Sequence, residues 1–302
     1  MLDIMDPKTC MLLASVTCLS FDYILTFRRE VELVWSRPPA MGTLLFVLSR
    51  YLPFVDLSLI VNTFTASNTI KGCYVRIVAS TWIQLLGIST AETILTLRTI
   101  AIWRRNPYIM AGLGLLNTVA FGSSIFFTFR YLQTVRPAQR LGSTGCYLEY
   151  VDQVIFGDFI VVLICESVVV ILTVVRALYY LRNSNASWVH QLYRKGILYF
   201  IATLVFSLLN VFLPLFLKDS SKRLLFIDPQ RAAHSIFCNR VLFLIFSQKQ
   251  AGQETTSSRG EDPHEKTSFF PTVMEMTLDS LATPQDDDMA TISEIEMREP
   301  EP

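Results

Sequence analysis

The chain has 302 residues, 51% of them hydrophobic and only 17% charged, with a formal net charge of zero. Soluble domains carry about 25% charged residues, so a large water-soluble core is disfavoured, and no basic stripe with interleaved aromatics supports nucleic-acid binding. The neutrality hides an asymmetry: Gln248–Pro302 holds 13 acidic and 4 basic residues, while the preceding 247 residues hold 13 acidic and 22 basic, so a +9 body adjoins a −9 tail.

Apolar runs of about twenty residues recur along the body, the length a helix needs to cross a bilayer core of about 30 Å. In lipid the backbone must satisfy its own hydrogen bonds, so such runs are helical. The first is Thr9–Phe27. It follows Asp3 and Asp6 rather than a basic segment and has no small-residue cleavage site, so it reads as a retained signal anchor. The next five are Thr43–Phe64, Ile77–Leu97, Tyr108–Phe129, Val154–Val175 and Gly196–Leu217. A seventh segment, Leu224–Ser247, contains Asp228, Pro229, Arg231, His234 and Arg240. It reads either as a crossing packed against the bundle or as an amphipathic interfacial helix, and the reading favours a crossing. From Gln248 the Ser/Thr/Pro-rich acidic tail cannot bury enough apolar surface to order itself. The expectation is an all-α polytopic bundle, residues 1–247, with a disordered tail, residues 248–302.

Orientation follows the loop lysines and arginines. Alternate loops carry ten and nine, which scarcely discriminates. The Arg28–Arg29 pair after the first helix places the N-terminus outside. Seven crossings then put the tail in the cytoplasm, in the plasma membrane or another secretory-pathway membrane. Asn185-Ala-Ser187 matches the glycosylation pattern but falls on the cytoplasmic side, where it is not used.

Cys73 and Cys146 both face the oxidising side in this topology, where disulfides persist; the reading is a bridge between them, against two free thiols. Asp22, Arg50, Asp56, Glu92 and Arg98 lie within or at the edge of spans. Intramembrane charges are costly and pair with one another. Asp22 and Arg50 match in depth, so they are expected to couple; a static ion-pair network is favoured over an ion path. Asp158 and Glu166, eight residues apart on the fifth helix, lie near one face and are candidates for a polar cavity. Pro53 and Pro214 fall inside spans, and Gly112, Gly114 and Gly122 offer a surface for close helix approach. In the tail, Ser258, Thr283 and Ser293 each precede an acid by three residues, the spacing acidophilic kinases favour.

No catalytic pattern emerges. Three histidines, none in a zinc-protease motif, and no nucleophile elbow or phosphate loop give no catalytic, metal or cofactor assignment. No lysine in the crossing part of segment seven stands ready for a retinal Schiff base.

Phe21-Asp-Tyr-Ile-Leu-Thr-Phe-Arg-Arg-Glu-Val-Glu-Leu-Val-Trp-Ser, followed by Phe46-Val-Leu-Ser-Arg-Tyr-Leu-Pro, resembles a family of basidiomycete fungal membrane proteins. That family is defined by the N-terminal domain of unknown function 6533. The resemblance is strongest over residues 14–53. It extends to Glu92-Thr-Ile-Leu-Thr-Leu-Arg-Thr-Ile-Ala-Ile-Trp, Gly196-Ile-Leu-Tyr-Phe and His234-Ser-Ile-Phe-Cys-Asn-Arg. Lys195 stands where the family shows an acid. The resemblance implies six or seven spans and no established activity.

Three functions compete. A receptor-like sensor fits the N-out topology, the proposed bridge and the Ser/Thr-rich tail. That layout is similar to G-protein-coupled receptors, yet helix three ends Leu97-Arg-Thr-Ile-Ala without an acid-Arg-aromatic triplet, and segment seven has no Asn-Pro-x-x-Tyr. A scaffold would recruit cytoplasmic proteins through the tail. A transporter or channel would use Asp56, Glu92, Asp158 and Glu166. Membrane lipids are partners in each case, and the ligand is unspecified.

Overall fold

The computed structural model describes residues 7–36, 41–65, 69–103, 105–139, 146–150, 154–183, 187–216 and 225–258. Seven helices make the bundle: α1 Pro7–Glu30, α2 Met41–Thr65, α3 Ile70–Ile102, α4 Pro107–Thr134, α5 Ile155–Asn183, α6 Ser187–Phe216 and α7 Ile227–Ser258. A π-helical turn, Val31–Trp35, continues α1. Among the described residues, five helices are long and apolar enough to cross a membrane, α1 with its π turn and α2 to α5; α6 holds the shorter apolar stretch Leu198–Pro214. The chain is thus a multi-pass integral membrane protein.

Local signals set several ends. Thr69 caps α3 by accepting the Gly72 amide, and Asn106 caps α4 by accepting from Tyr108 and Ile109. Pro107 follows at the first helical position, where its missing N–H costs nothing. Pro53 and Pro214 lie inside α2 and α6.

The long fourth loop contains an element the sequence reading does not anticipate. Strands β1 Arg136–Gln139 and β2 Cys146–Tyr150 form an antiparallel hairpin pairing Gln139 with Cys146 and Ala138 with Tyr147.

α3 is the central helix, touching α2, α4, α5 and α7. Its half from Ala91 to Ile102 is buried almost throughout and joins Phe46, Val169, Phe200 and Leu242 in the main core. α4 is peripheral. Leu115, Val119, Phe126 and Phe129 are exposed, the outward apolar surface expected against lipid. The three glycines expected to allow close approach on α4 do not: a Cβ added at Gly112, Gly114 or Gly122 meets nothing within 4 Å. The close approaches are elsewhere. At Gly87 an added Cβ would overlap the Arg231 guanidinium, and at Gly157 it would overlap the Phe127 ring.

α7 packs against α1, α2, α3 and α6, with Arg231 to Ser235 all buried. It lies within the bundle rather than on its surface, so the interfacial alternative does not fit. α7 also runs on through Gln248 to Ser258, residues the composition assigns to the tail. Residues 259–302, with Thr283 and Ser293, lie outside the described residues, as does Asn185.

Candidate functional site

Three groups of polar residues lie within the bundle, the first at the hairpin end and the other two interleaved along α7. The first begins with a disulfide between Cys73 and Cys146, which ties β2 to the first turn of α3; the two Cα atoms are 6.4 Å apart. Beside it lies a cavity enclosing about 970 Å³ of space, its mouth included. Ile60, Ile77, Leu85, Ile88, Ile155 and Phe159 give it apolar walls; Ser80, Thr81, Gln84, Thr128 and Tyr131 supply hydrogen-bonding groups; Lys8, Asp158 and Asp228 supply charge. The Asp158 carboxylate accepts a hydrogen bond from Ser124 on α4.

The second group is a set of partners held by α7. Gln230 accepts from Asn210 Nδ2 and donates to Ser207 Oγ, 2.6 Å, both on α6. Arg231 Nε meets Asp56 Oδ2 on α2 at 3.1 Å, with both side chains almost fully buried. Ser235 Oγ donates to the Ser49 carbonyl, 2.7 Å. One turn on, Arg240 reaches Asp22 on α1 at 2.7 Å. Polar residues that lower the hydropathy of α7 therefore point inward, onto partners from α1, α2 and α6.

A separate node joins α1 to α2. Glu30 Oε2 sits 2.7 Å from Arg50 Nε, both side chains buried. Glu30 Oε1 accepts from Tyr51 Oη and from Trp35 Nε1. Arg50 also donates to Thr26 Oγ1, 2.9 Å, and lies over the rings of Tyr23, Phe46 and Phe243 at 4.7, 5.6 and 5.6 Å. Such stacking stabilises a desolvated guanidinium.

The third group gathers Glu92 of α3, Glu166 of α5 and His234 of α7, all buried. His234 Nε2 is 2.8 Å from Glu166 Oε1, and Nδ1 is 3.9 Å from Glu92 Oε1. One ligand-type atom from each residue lies within 4.8 Å of the others.

The expected sites thus regroup. The structure brings Cys73 and Cys146 together. It does not pair Asp22 with Arg50. Asp22 meets Arg240 and Arg50 meets Glu30, because α1 continues to Glu30 and keeps that residue on the helix face instead of in a loop. Asp56 pairs with Arg231, and Arg98 lies over the Phe200 ring at 5.3 Å. Asp158 and Glu166 do not share a cavity. Eight residues are about 12 Å along a helix, so Asp158 lines the upper cavity while Glu166 belongs to the cluster beneath. Ser258 is the last residue of α7. Sequence reasoning missed Glu30, Arg231, Arg240 and His234 as partners, although the intramembrane acids themselves signalled that cations were needed.

The chain matches no curated protein. Residues 10–55, which cover most of α1, the π turn and more than half of α2 and so contain both Glu30 and Arg50, match the family of unknown function DUF6533.

Proposed function

We propose that the protein is a receptor-like membrane sensor whose N-terminus is outside and whose acidic tail is cytoplasmic. The observation that carries this reading is the cavity at the hairpin end, walled by six helices and flanked by a strand anchored through Cys73–Cys146. Its lining suits a small amphipathic molecule whose polar or cationic group reaches Asp158 while the remainder lies against Ile77, Ile88 and Phe159. Ligand binding among α1, α2, α3, α4, α5 and α7 would bias their packing. The tail, with Ser258, Thr283 and Ser293 as phosphorylation sites, would pass the change to cytoplasmic proteins. The fungal affiliation belongs to this proposal and rests on the resemblance over residues 14–53.

The transporter reading is weaker because Asp56, Glu92, Asp158 and Glu166 are divided among separate groups, and Asp56 is already held by Arg231. The test is thermal unfolding of the full chain in nanodiscs against small amphipathic amines and neutral amphiphiles. Binders should raise the melting temperature of the wild type and not of Ser80→Trp, which fills the cavity. Solute flux or currents in proteoliposomes, without any such binder, would replace the sensor with a transporter. A glycosidase-sensitive mobility shift abolished by Asn185→Gln would reverse the orientation.

A further inference from the structure

We infer that Glu92, Glu166 and His234 form a binding site for one first-row divalent metal ion of the zinc class, linking α3, α5 and α7 in the interior of the bundle. Three observations converge. The first is the donor set: two carboxylates and one imidazole, on three different helices, each contribute an atom within 4.8 Å of the others. Around a tetrahedral ion with bonds of about 2.0–2.2 Å, ligand atoms are about 3.4 Å apart, so modest side-chain rotation brings the three donors to bonding distance and leaves the fourth position open.

The second is that the donors are buried and lack hydrogen bonds. Glu166 is 2% exposed and His234 0%. Glu92 Oε1, both Glu166 carboxylate oxygens and both His234 ring nitrogens make no hydrogen bond. The 2.8 Å approach of Nε2 to Glu166 is therefore a close contact without hydrogen-bond geometry. Buried polar atoms without partners are rare and call for an explanation. A cation at the centre of the three side chains takes one imidazole nitrogen and the carboxylate oxygens that face it.

The third is charge. Asp22, Glu30 and Asp56 each meet an arginine. Glu92 and Glu166 instead face one imidazole and each other. Two carboxylates confronting one another in a medium of low dielectric call for a cation or a shared proton, and a divalent ion supplies the compensating charge at one point. The nitrogen donor favours a zinc-class metal over Mg²⁺ or Ca²⁺, which prefer all-oxygen shells. Access is short: Glu92 is one helical turn beyond Ile88 of the upper cavity, about 6 Å along α3.

The experiment uses the full chain purified in nanodiscs, stripped with a chelator and reloaded with ZnCl₂ or CoCl₂. One equivalent of metal per chain should bind, the melting temperature should rise on reloading, and Co²⁺ should give the visible absorption of a nitrogen–oxygen site. Loss of a partner outside a metal's ligand shell commonly weakens binding about 10–100-fold, so loss of a ligand in Glu166→Gln or His234→Asn should weaken it at least that far. Glu32→Gln, which removes an exposed carboxylate paired with Arg28, should leave it unchanged. Wild-type protein that takes up no metal, or variants that bind as tightly as wild type, would overturn the site. So would a melting temperature that follows pH but ignores both Zn²⁺ and chelator, which would give the cluster to a shared proton. If the variants do not fold, the wild-type stoichiometry and the cobalt spectrum decide by themselves.

Discussion

α4 and α7 invert each other's logic. α4 reads as a membrane span at once, yet only 6% of its most apolar window is buried inside the protein. α7 carries Asp228, Gln230, Arg231, His234, Ser235 and Asn239 and fails as a simple apolar span, yet all six are buried. Hydropathy measures compatibility with lipid, so it identifies the helices that touch lipid. A helix shielded by neighbours is free to be polar if each polar group finds a partner, because in hydrocarbon the alternative is an unsatisfied group costing several kcal/mol. α4 is held mainly by what surrounds the protein, and α7 by what the other helices present to it.

The sharpest way to break that contrast is to orphan one α7 partner. Arg231→Ala leaves Asp56 as a buried carboxylate without its cation, which costs about 3–5 kcal/mol in comparable sites. The variant should unfold at a markedly lower temperature in nanodiscs, and Asp56→Asn added to it should restore much of the loss. If the single and double variants are equally stable, α7 is not held through this pair.

Next in size is the node within the segment similar to DUF6533. A double-mutant cycle between Glu30→Gln and Arg50→Gln should give a coupling in the upper part of the ~0.5–3 kcal/mol seen for contacting residues. The same cycle between Asp22→Asn and Arg50→Gln should give a smaller value, since their link runs through Thr26, which donates to the Asp22 carbonyl and accepts from Arg50. Equal couplings would return the sequence-level pairing of Asp22 with Arg50 to favour.

Six of the seven helices were legible in the sequence because lipid imposes a long apolar run wherever a helix faces it. The partner choices were less legible, and for a consistent reason. Depth counted from helix ends matched Asp22 to Arg50, but it depended on where α1 stopped, and the π turn Val31–Trp35 carries the helical path further. Periodicity placed Asp158 and Glu166 on one face of α5, but their spacing of eight residues sets them about 12 Å apart along it, which separates their surroundings. The Glu92–Glu166–His234 cluster draws on three helices, so no local spacing marks it. The hairpin was hidden because its strands span only four and five residues within a loop.

One substitution made in two places carries the smaller effects. Gly87→Ala puts a Cβ where the Arg231 guanidinium lies, so the ion pair with Asp56 must shift. Overpacking of this kind costs about 1–3 kcal/mol. Gly114→Ala on α4 meets nothing within 4 Å. There the only changes are the lower backbone entropy of the unfolded helix and a methyl exposed to lipid, so stability should rise by about 0.5–1 kcal/mol, the usual advantage of alanine over glycine inside a helix. Melting temperatures of the two variants should therefore move in opposite directions from wild type. A loss at Gly114 comparable to that at Gly87 would mean that α4 presents this face to a protein surface, such as a second copy of the chain. In that case the contrast between a helix held by lipid and a helix held by its neighbours would fail at α4 rather than at α7.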